Sequence, residues 1–240
     1  MKNVLIYNKV GEKTRHSDDL LDRYLKAQVH NSLDLGWNPE DIIIGTNFNF
    51  EHMGVKNVHL ERVFFDNCYM NKWLGMLEMM ENGVLDEDFW FHDQDNWQTQ
   101  LFDFPKFAGE IGGCEYRGTV EWNTACIYVK KTAVDIINYI MEAAQQNKEY
   151  LSGENIGDEH FIAVLRKFPE VQDYFMSINT QYNVGCTWFD LRYGWADKPV
   201  YVFGLNPHKP RDWEIMENYI DDRLKNIYNE YKLFDEVVDV

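Results

Sequence analysis

Apolar positions along the chain come as short runs alternating with longer stretches of helical period. Val4-Leu5-Ile6-Tyr7 is continuous and apolar, and reads as a first strand. From about Asp18 to Leu35 the apolar residues Leu21, Leu25, Val29 and Leu33 recur at i+4, with Ser17 placed to cap and Gly36 to end a helix. Asp41 to Thr46 contains Ile42-Ile43-Ile44 and reads as a second buried strand, and the strand–helix–strand spacing implies a parallel pair. Asn67 to Met80 repeats the helical period through Met70, Leu74 and Leu77. An acidic turn, Asp86-Glu87-Asp88, then leads into Phe89-Trp90-Phe91-His92, another buried strand. This alternation predicts an α/β sheet covered by helices on both faces.

The pattern changes in the second half. Lys106 to Ile111 and Val120 to Val129 read as strands separated by Gly112-Gly113 and a polar turn. Helices are expected over Thr132 to Gln145 and Ile156 to Phe168, and a late strand over Val200 to Phe203. Asp212 to Tyr231 has the period of one long acidic helix, with Ile215, Tyr219, Ile220, Leu224, Ile227 and Tyr228 inward. Asp235 to Val240 is expected to be a disordered tail. No repeat, Pro-rich linker or low-complexity segment divides the chain, so one domain over residues 1–240 is the expectation.

Composition narrows the classes. A net charge of −17 argues against a broad basic face for nucleic acid. Aromatic residues make up 15% of the chain, enough that some rings are expected to line a pocket. No apolar run has the length of a spanning helix, and the apolar stretch after Met1 is too short for a signal peptide. Cys68, Cys114, Cys126 and Cys186 show no CxxC spacing, which argues against zinc and for a reducing, cytoplasmic setting.

The candidate chemistry starts where the third apolar run ends, at Asp93-Gln94-Asp95. Open α/β sheets bind ligands beyond the carboxyl ends of their strands. Two aspartates there can hold a hard divalent cation and leave positions for substrate phosphates. A solvated acidic turn fits the same residues. By strand alternation His92 would face away from such a cation.

Asp93-Gln94-Asp95 resembles the Asp-X-Asp element of nucleotide-sugar glycosyltransferases with the GT-A fold, and further segments extend the likeness. Asn123-Thr124-Ala125, ahead of an apolar run, resembles the Asn-Ala-Gly element of those enzymes. Gly157-Asp158-Glu159, followed by Tyr182-Asn183-Val184, is similar to the Gly-Asp-Gln helix start and later Tyr-Asn-Val of the retaining family GT8, the glycogenin and lipopolysaccharide galactosyltransferase type. Gly204, His208, Lys209 and Pro210 resemble its His, Gly, Lys-Pro-Trp element, with His208 directly before the lysine and Trp213 displaced.

The resemblance implies an α/β GT-A mixed sheet flanked by helices, and a transferase moving a sugar, with retention, from a nucleotide donor, expected to be a UDP-sugar. It implies Mn²⁺ or Mg²⁺ on Asp93, Asp95 and His208, and Lys209 on the diphosphate. Tyr7 and Asn8 would meet the nucleoside, Lys72 the donor, and Asn123 the donor sugar or the acceptor. Asp158 would contact the sugar, and Glu159 would stand on the face where positive charge develops. Glu159 replaces the usual Gln, and a carboxylate there can stabilise that charge or act as nucleophile. Against these readings stand ordinary ones: Asp158 and Glu159 can serve a helix N-terminus, Lys72 can be a solvated lysine, Tyr7 and Asn8 core and turn. The acceptor is open among a glycan, a small molecule, a protein and a modified DNA base. Residues 31–41 resemble bacteriophage proteins, which brings in the DNA base. Two alternatives remain, a nucleotidyltransferase, hinted at by Val10-Gly11-Glu12-Lys13-Thr14-Arg15, and a non-catalytic binding module for sugars or nucleotides.

Overall fold

The computed structural model describes residues 1–10, 18–115, 122–152, 157–207 and 209–234. The apolar run at the start forms β1 (Lys2–Tyr7), which pairs in parallel with β2 (Ile42–Thr46) on one side and β5 (Phe89–His92) on the other. Beyond β2 lie β4 (Val55–His59), parallel, and β3 (Glu51–His52), antiparallel to β4. Beyond β5 the sheet becomes mixed. β8 (Trp122–Val129) is antiparallel to β5 and to β7 (Ile111–Glu115), and β9 (Phe175–Ile178) closes the sheet parallel to β7.

Side-chain alternation along β1 supplies both layers. Val4 faces a core with α2 (Asn71–Glu81), α3 (Val134–Gln146) and α5 (Asp158–Leu165), built on Trp73, Ile137 and Ile162. Leu5 faces α1 (Asp18–Leu35) through Leu21, Leu25 and Val29. The mixed α/β sheet flanked by helices is thus as expected.

A second, smaller sheet was not anticipated. β6 (Asn96–Gln98) starts one residue after Asp95 and pairs antiparallel with β11 (Val202–Gly204), which pairs in parallel with β10 (Val184–Gly185). It has its own core, in which Trp97 meets Leu20, Tyr24 and Ala27 of α1 and the C-terminal helices. Helix α1 is therefore buried on two sides, and Leu20, Tyr24 and Ala27 form a second apolar stripe beside the first. The short helix α4 (Lys148–Leu151) follows and touches α3, and α6 (Phe189–Trp195) lies beside β10.

Two element boundaries are corrected. The strand expected at 106–111 runs from Ile111 to Glu115, so Gly112 and Gly113 lie inside it. They are glycine because rings lie on them: a Cβ would come within 2.8 Å of Phe107 at Gly112 and 2.6 Å of Trp122 at Gly113. The long helix expected over 212–231 is two, α7 (Pro210–Tyr219) and α8 (Asp222–Glu230). Ile220 is extended, and the Asp221 carboxylate starts α8 by accepting from the Leu224 amide at 2.8 Å. The tail from Asp235 lies outside the described residues.

Candidate active site

Strand β5 delivers the chain to a turn between the two sheets, and this turn carries Asp93 and Asp95. Its backbone is fixed from several sides. The Asp93 amide donates to the Ala125 carbonyl at 2.7 Å and the Asn96 amide to the Asp93 carbonyl at 3.1 Å. From behind, Gln28 of α1 donates to the carbonyls of Gln94 and Asn96 at 2.7 and 3.0 Å. His92 is buried, stacked on Trp90 at 4.0 Å between centroids and 2.9 Å from Asn3 Oδ1. Burial pushes its pKa down to about 3, so it stays neutral.

The resemblance places Lys72 at the donor. The structure places it, buried, among carboxylates. Its Nζ lies 3.1 Å from Asp158 Oδ2, 3.4 Å from Asp93 Oδ2 and 3.1 Å from the Thr124 carbonyl. Burial alone would lower the Lys72 pKa, but Asp158, Asp93 and Glu159 outweigh it and hold the pKa raised. Asp158, also buried, accepts a second bond on Oδ2 from Trp73 Nε1 at 2.9 Å. Helix α5 has Gly157 at its N-cap with no side-chain cap, and both of these Asp158 bonds run across the fold to α2.

One ammonium therefore serves several carboxylates. Burial first, then repulsion from Asp158, raises the Glu159 pKa to about 7, with Lys72 pulling it back. Asp93 also rises to about 7; burial leads, Lys72 opposes, and Asp95 and Asp158 add repulsion. The Asp93 side chain is 37% accessible where it lines the cleft, so solvent screens part of this rise and Glu159 carries more of it. A carboxylate whose pKa is higher folded than unfolded binds its proton more tightly in the fold. Its contribution is full below the unfolded value and is lost as pH rises through about 7. In a chelator, the Tm is thus expected to fall between about pH 5 and pH 8. The net charge of −17 acts in the same direction. Asp93→Asn with Glu159→Gln should flatten the slope, as scanning fluorimetry of both proteins would show; equal slopes would exclude these two groups as the cause.

The cleft has two lobes. A recess of about 140 Å³ lies beyond β1 and includes Tyr7, Asn8, His92 and Gln94. A larger one of about 450 Å³ includes Asn123, Asp158, Glu159, Arg192 and Asn206. Tyr69, Lys72, Asp93 and Asp95 border both. Asn123 is held by two contacts on Oδ1, from the Ala125 amide at 3.0 Å and Asn183 Nδ2 at 3.2 Å. Lys209 is exposed at the start of α7, its amide donating to the Asn206 carbonyl at 3.0 Å. His208 lies outside the described residues, as does most of the 10–15 segment.

The sequence reading missed Tyr69, Asn96 and Asn206. Tyr69 caps the junction of the lobes from a short turn ahead of α2. Asn96 directly follows Asp95, and its buried Oδ1 has no partner. Gly204 leaves room for that oxygen, since a Cβ there would come within 2.9 Å of it. Asn206 Nδ2 donates to Asp95 Oδ2 at 3.0 Å. A wider, open recess of about 760 Å³ around Trp188, Asp190, Arg211 and Glu214 touches the second lobe at Thr187. It lacks the strand-end carboxylates and is not taken as the active site.

No family model matches the chain, and no curated protein matches it. Solved structures do. A glycosyltransferase involved in glycosylation of the major capsid of PBCV-1 is 12% identical, with a TM-score of 0.56 over 90% of this chain and 99% of the other. The glycosyltransferase GlyE of Streptococcus pneumoniae TIGR4 is 14% identical, with a TM-score of 0.58 over 98% of this chain and 61% of its own. The galactosyltransferase LgtC, solved with donor and acceptor sugar analogues, is 11% identical, with a TM-score of 0.53 over 95% of this chain and 100% of its own. Identities this low carry the architecture: the chain has the GT-A fold of these glycosyltransferases.

Proposed function

We propose that the chain is a cation-dependent glycosyltransferase acting on a nucleotide sugar, with UDP-sugar as donor and retention at the anomeric carbon. The observation that carries this reading is the carboxylate-rich cleft at the end of β5, where Lys72 is shared by Asp158 and Asp93 and both Asp93 and Glu159 are driven to about 7. Negative charge concentrated at a strand end suits a cation and the diphosphate it would bring.

The residues fit such a cation. Asp93 and Asp95 offer hard oxygens from one turn, and both line the two lobes of the cleft. Among the described residues no three His, Cys, Asp or Glu side chains gather to hold a metal, so two carboxylates are what these types provide. Held there, Mn²⁺ or Mg²⁺ would neutralise the diphosphate as the leaving group departs.

The chain's own groups have separate tasks. Tyr7 and Asn8 form the small lobe, sized for the flat part of a nucleoside. Asn123 and Asp158 line the larger lobe and orient the sugar. Glu159 faces the same lobe, its carboxyl pushed up to about 7 by burial and by Asp158. It can answer positive charge at the anomeric carbon or bond to it. Lys209, exposed at the start of α7, is assigned a point charge for the phosphates. The acceptor is a glycan, a small molecule, a protein or a modified DNA base. No helix among the described residues is long and apolar enough to cross a membrane.

Asp95→Ala is expected to lose Mn²⁺-dependent binding of UDP, because one of two charged oxygen ligands goes. Calorimetry of the parent with and without Mn²⁺ gives the reference; equal UDP affinity in both would overturn cation dependence. Release of a nucleoside diphosphate from a nucleotide sugar without acceptor tests the reaction. Pyrophosphate release from a nucleoside triphosphate would instead support a nucleotidyltransferase, and no release would support a binding module.

A further inference from the structure

We infer that Asn206 supplies the third protein ligand to the cation, through Oδ1, so that the chain offers an all-oxygen set of Asp93, Asp95 and Asn206. This rests on the cation site proposed above and departs from the histidine that the GT8 resemblance implies at His208.

The placement of Asn206 follows from strand register. β11 pairs with β6 so that Gly204 stands opposite Asn96. The next residues of the late strand therefore run alongside the turn that carries the two aspartates. Three bonds pin them there. The Leu205 amide donates to the Asp95 carbonyl at 2.8 Å, the Asn206 amide to Asp212 Oδ2 at 2.9 Å, and Asn206 Nδ2 to Asp95 Oδ2 at 3.0 Å. Asn206 is half-buried and lines the larger lobe.

The last distance has a geometric meaning. Oxygens at 2.0–2.1 Å from a divalent cation in octahedral geometry are about 3 Å apart along an edge. Asp95 Oδ2 and the Asn206 amide head, 3.0 Å apart, already have the spacing of two adjacent ligands. In the structure the amide presents its NH₂ to the carboxylate. Rotation about the last side-chain bond exchanges Nδ2 for Oδ1, and the cation then replaces the hydrogen bond as what holds the two together. The other Asp95 oxygen, Oδ1, is met from Asn96 Nδ2 at 3.3 Å, so the Asp95 carboxylate stands between two side-chain amides, one at the start of β6 and one just past β11.

An oxygen-only set has a chemical consequence. Imidazole favours Zn²⁺ and Ni²⁺, whereas carboxylate and carbonyl oxygens suit Mg²⁺ and Mn²⁺. Lacking an imidazole, the site should favour Ni²⁺ and Zn²⁺ over Mn²⁺ less than a site with a histidine ligand does.

The test uses the full chain with Mn²⁺ and UDP, read by calorimetry, thermal shift and electron spin echo modulation of bound Mn²⁺. The parent should bind Mn²⁺ without the ¹⁴N modulation of a coordinated imidazole. Asn206→Ala should raise the Mn²⁺ Kd on the order of 10-fold or more, and His208→Ala should stay within about twofold. Asn206→Asp decides between ligand and prop. As a ligand it keeps or tightens Mn²⁺, and Mn²⁺ raises its Tm more than the parent's by cancelling the new repulsion with Asp95. As a mere hydrogen-bond donor to Asp95, its replacement by Asp binds Mn²⁺ as poorly as Asn206→Ala, which overturns the inference. Imidazole modulation that disappears in His208→Ala also overturns it, while leaving the cation site intact. Failure of the parent to bind Mn²⁺, with or without UDP, defeats the cation reading itself.

Discussion

Lys72→Met is expected to destabilise the protein by about 3–5 kcal/mol, because it leaves Asp158 buried beside no cation of its own. For a chain of this size that corresponds to a Tm lower by on the order of 10 °C. The methylenes of lysine and methionine fill similar space, so the loss is electrostatic rather than a cavity. Asp158 and Lys72 lie 3.1 Å apart with side chains 3% and 8% exposed, and without Lys72 the Trp73 bond would be the other side-chain contact left on Asp158 Oδ2. Two consequences follow for measurement. Lys72→Met with Asp158→Asn should recover most of the stability, so the double-mutant cycle should show strong coupling. Lys72→Arg should not rescue, since a planar guanidinium does not fit among Asp158, Asp93 and the Thr124 carbonyl. A Lys72→Met protein that melts with the parent would show that the ion pair contributes nothing net.

Glu159→Gln is expected to lower kcat on the order of 100-fold or more while leaving Tm unchanged or raised. The variant keeps the shape and removes only a charge that burial and Asp158 already disfavour. Catalysis through the carboxylate needs that charge; stability does not. Asp158→Asn is the contrasting case. It removes the charge that anchors Lys72, so it should lower kcat and Tm together, and only the first effect belongs to the sugar. Donor hydrolysis and melting on the same preparations separate the two residues. A fully active Glu159→Gln protein would leave Glu159 lining the cleft without a part in the reaction.

The parts of the fold carried by local pattern were legible. β1, β2 and β5 are uninterrupted apolar runs, and the helix between the first two has the spacing that forces a parallel pair. Asp93 and Asp95 were visible because they sit where an apolar run stops. What escaped depends on distant partners. β6 is Asn-Trp-Gln, three residues with one apolar side chain, and it is a strand only because β11 arrives beside it. Lys72 looks like any lysine on a helix until α5 brings Asp158 against it. Gly112 and Gly113 read as a turn because the rings of Phe107 and Trp122 that cover them are not neighbours in pattern. The break at Ile220 is masked by apolar residues that keep helical period across it.

Asp95 and Asn206 are 111 positions apart, and Trp73 and Asp158 are 85 apart. Each contact closes a long loop, whose entropy is lost before the contact can repay it. The parallel core of β1, β2 and β5 needs only the first part of the chain, whereas β6 waits for β11 to emerge and return. This register lets the sheet precede the site. An intermediate with the main sheet formed but β11 unpaired has strand content and no complete cation pocket. With the proposed cation site, Mn²⁺ capture during refolding is expected to lag the recovery of far-ultraviolet ellipticity, which would make the ion a clock for the final closure of the chain.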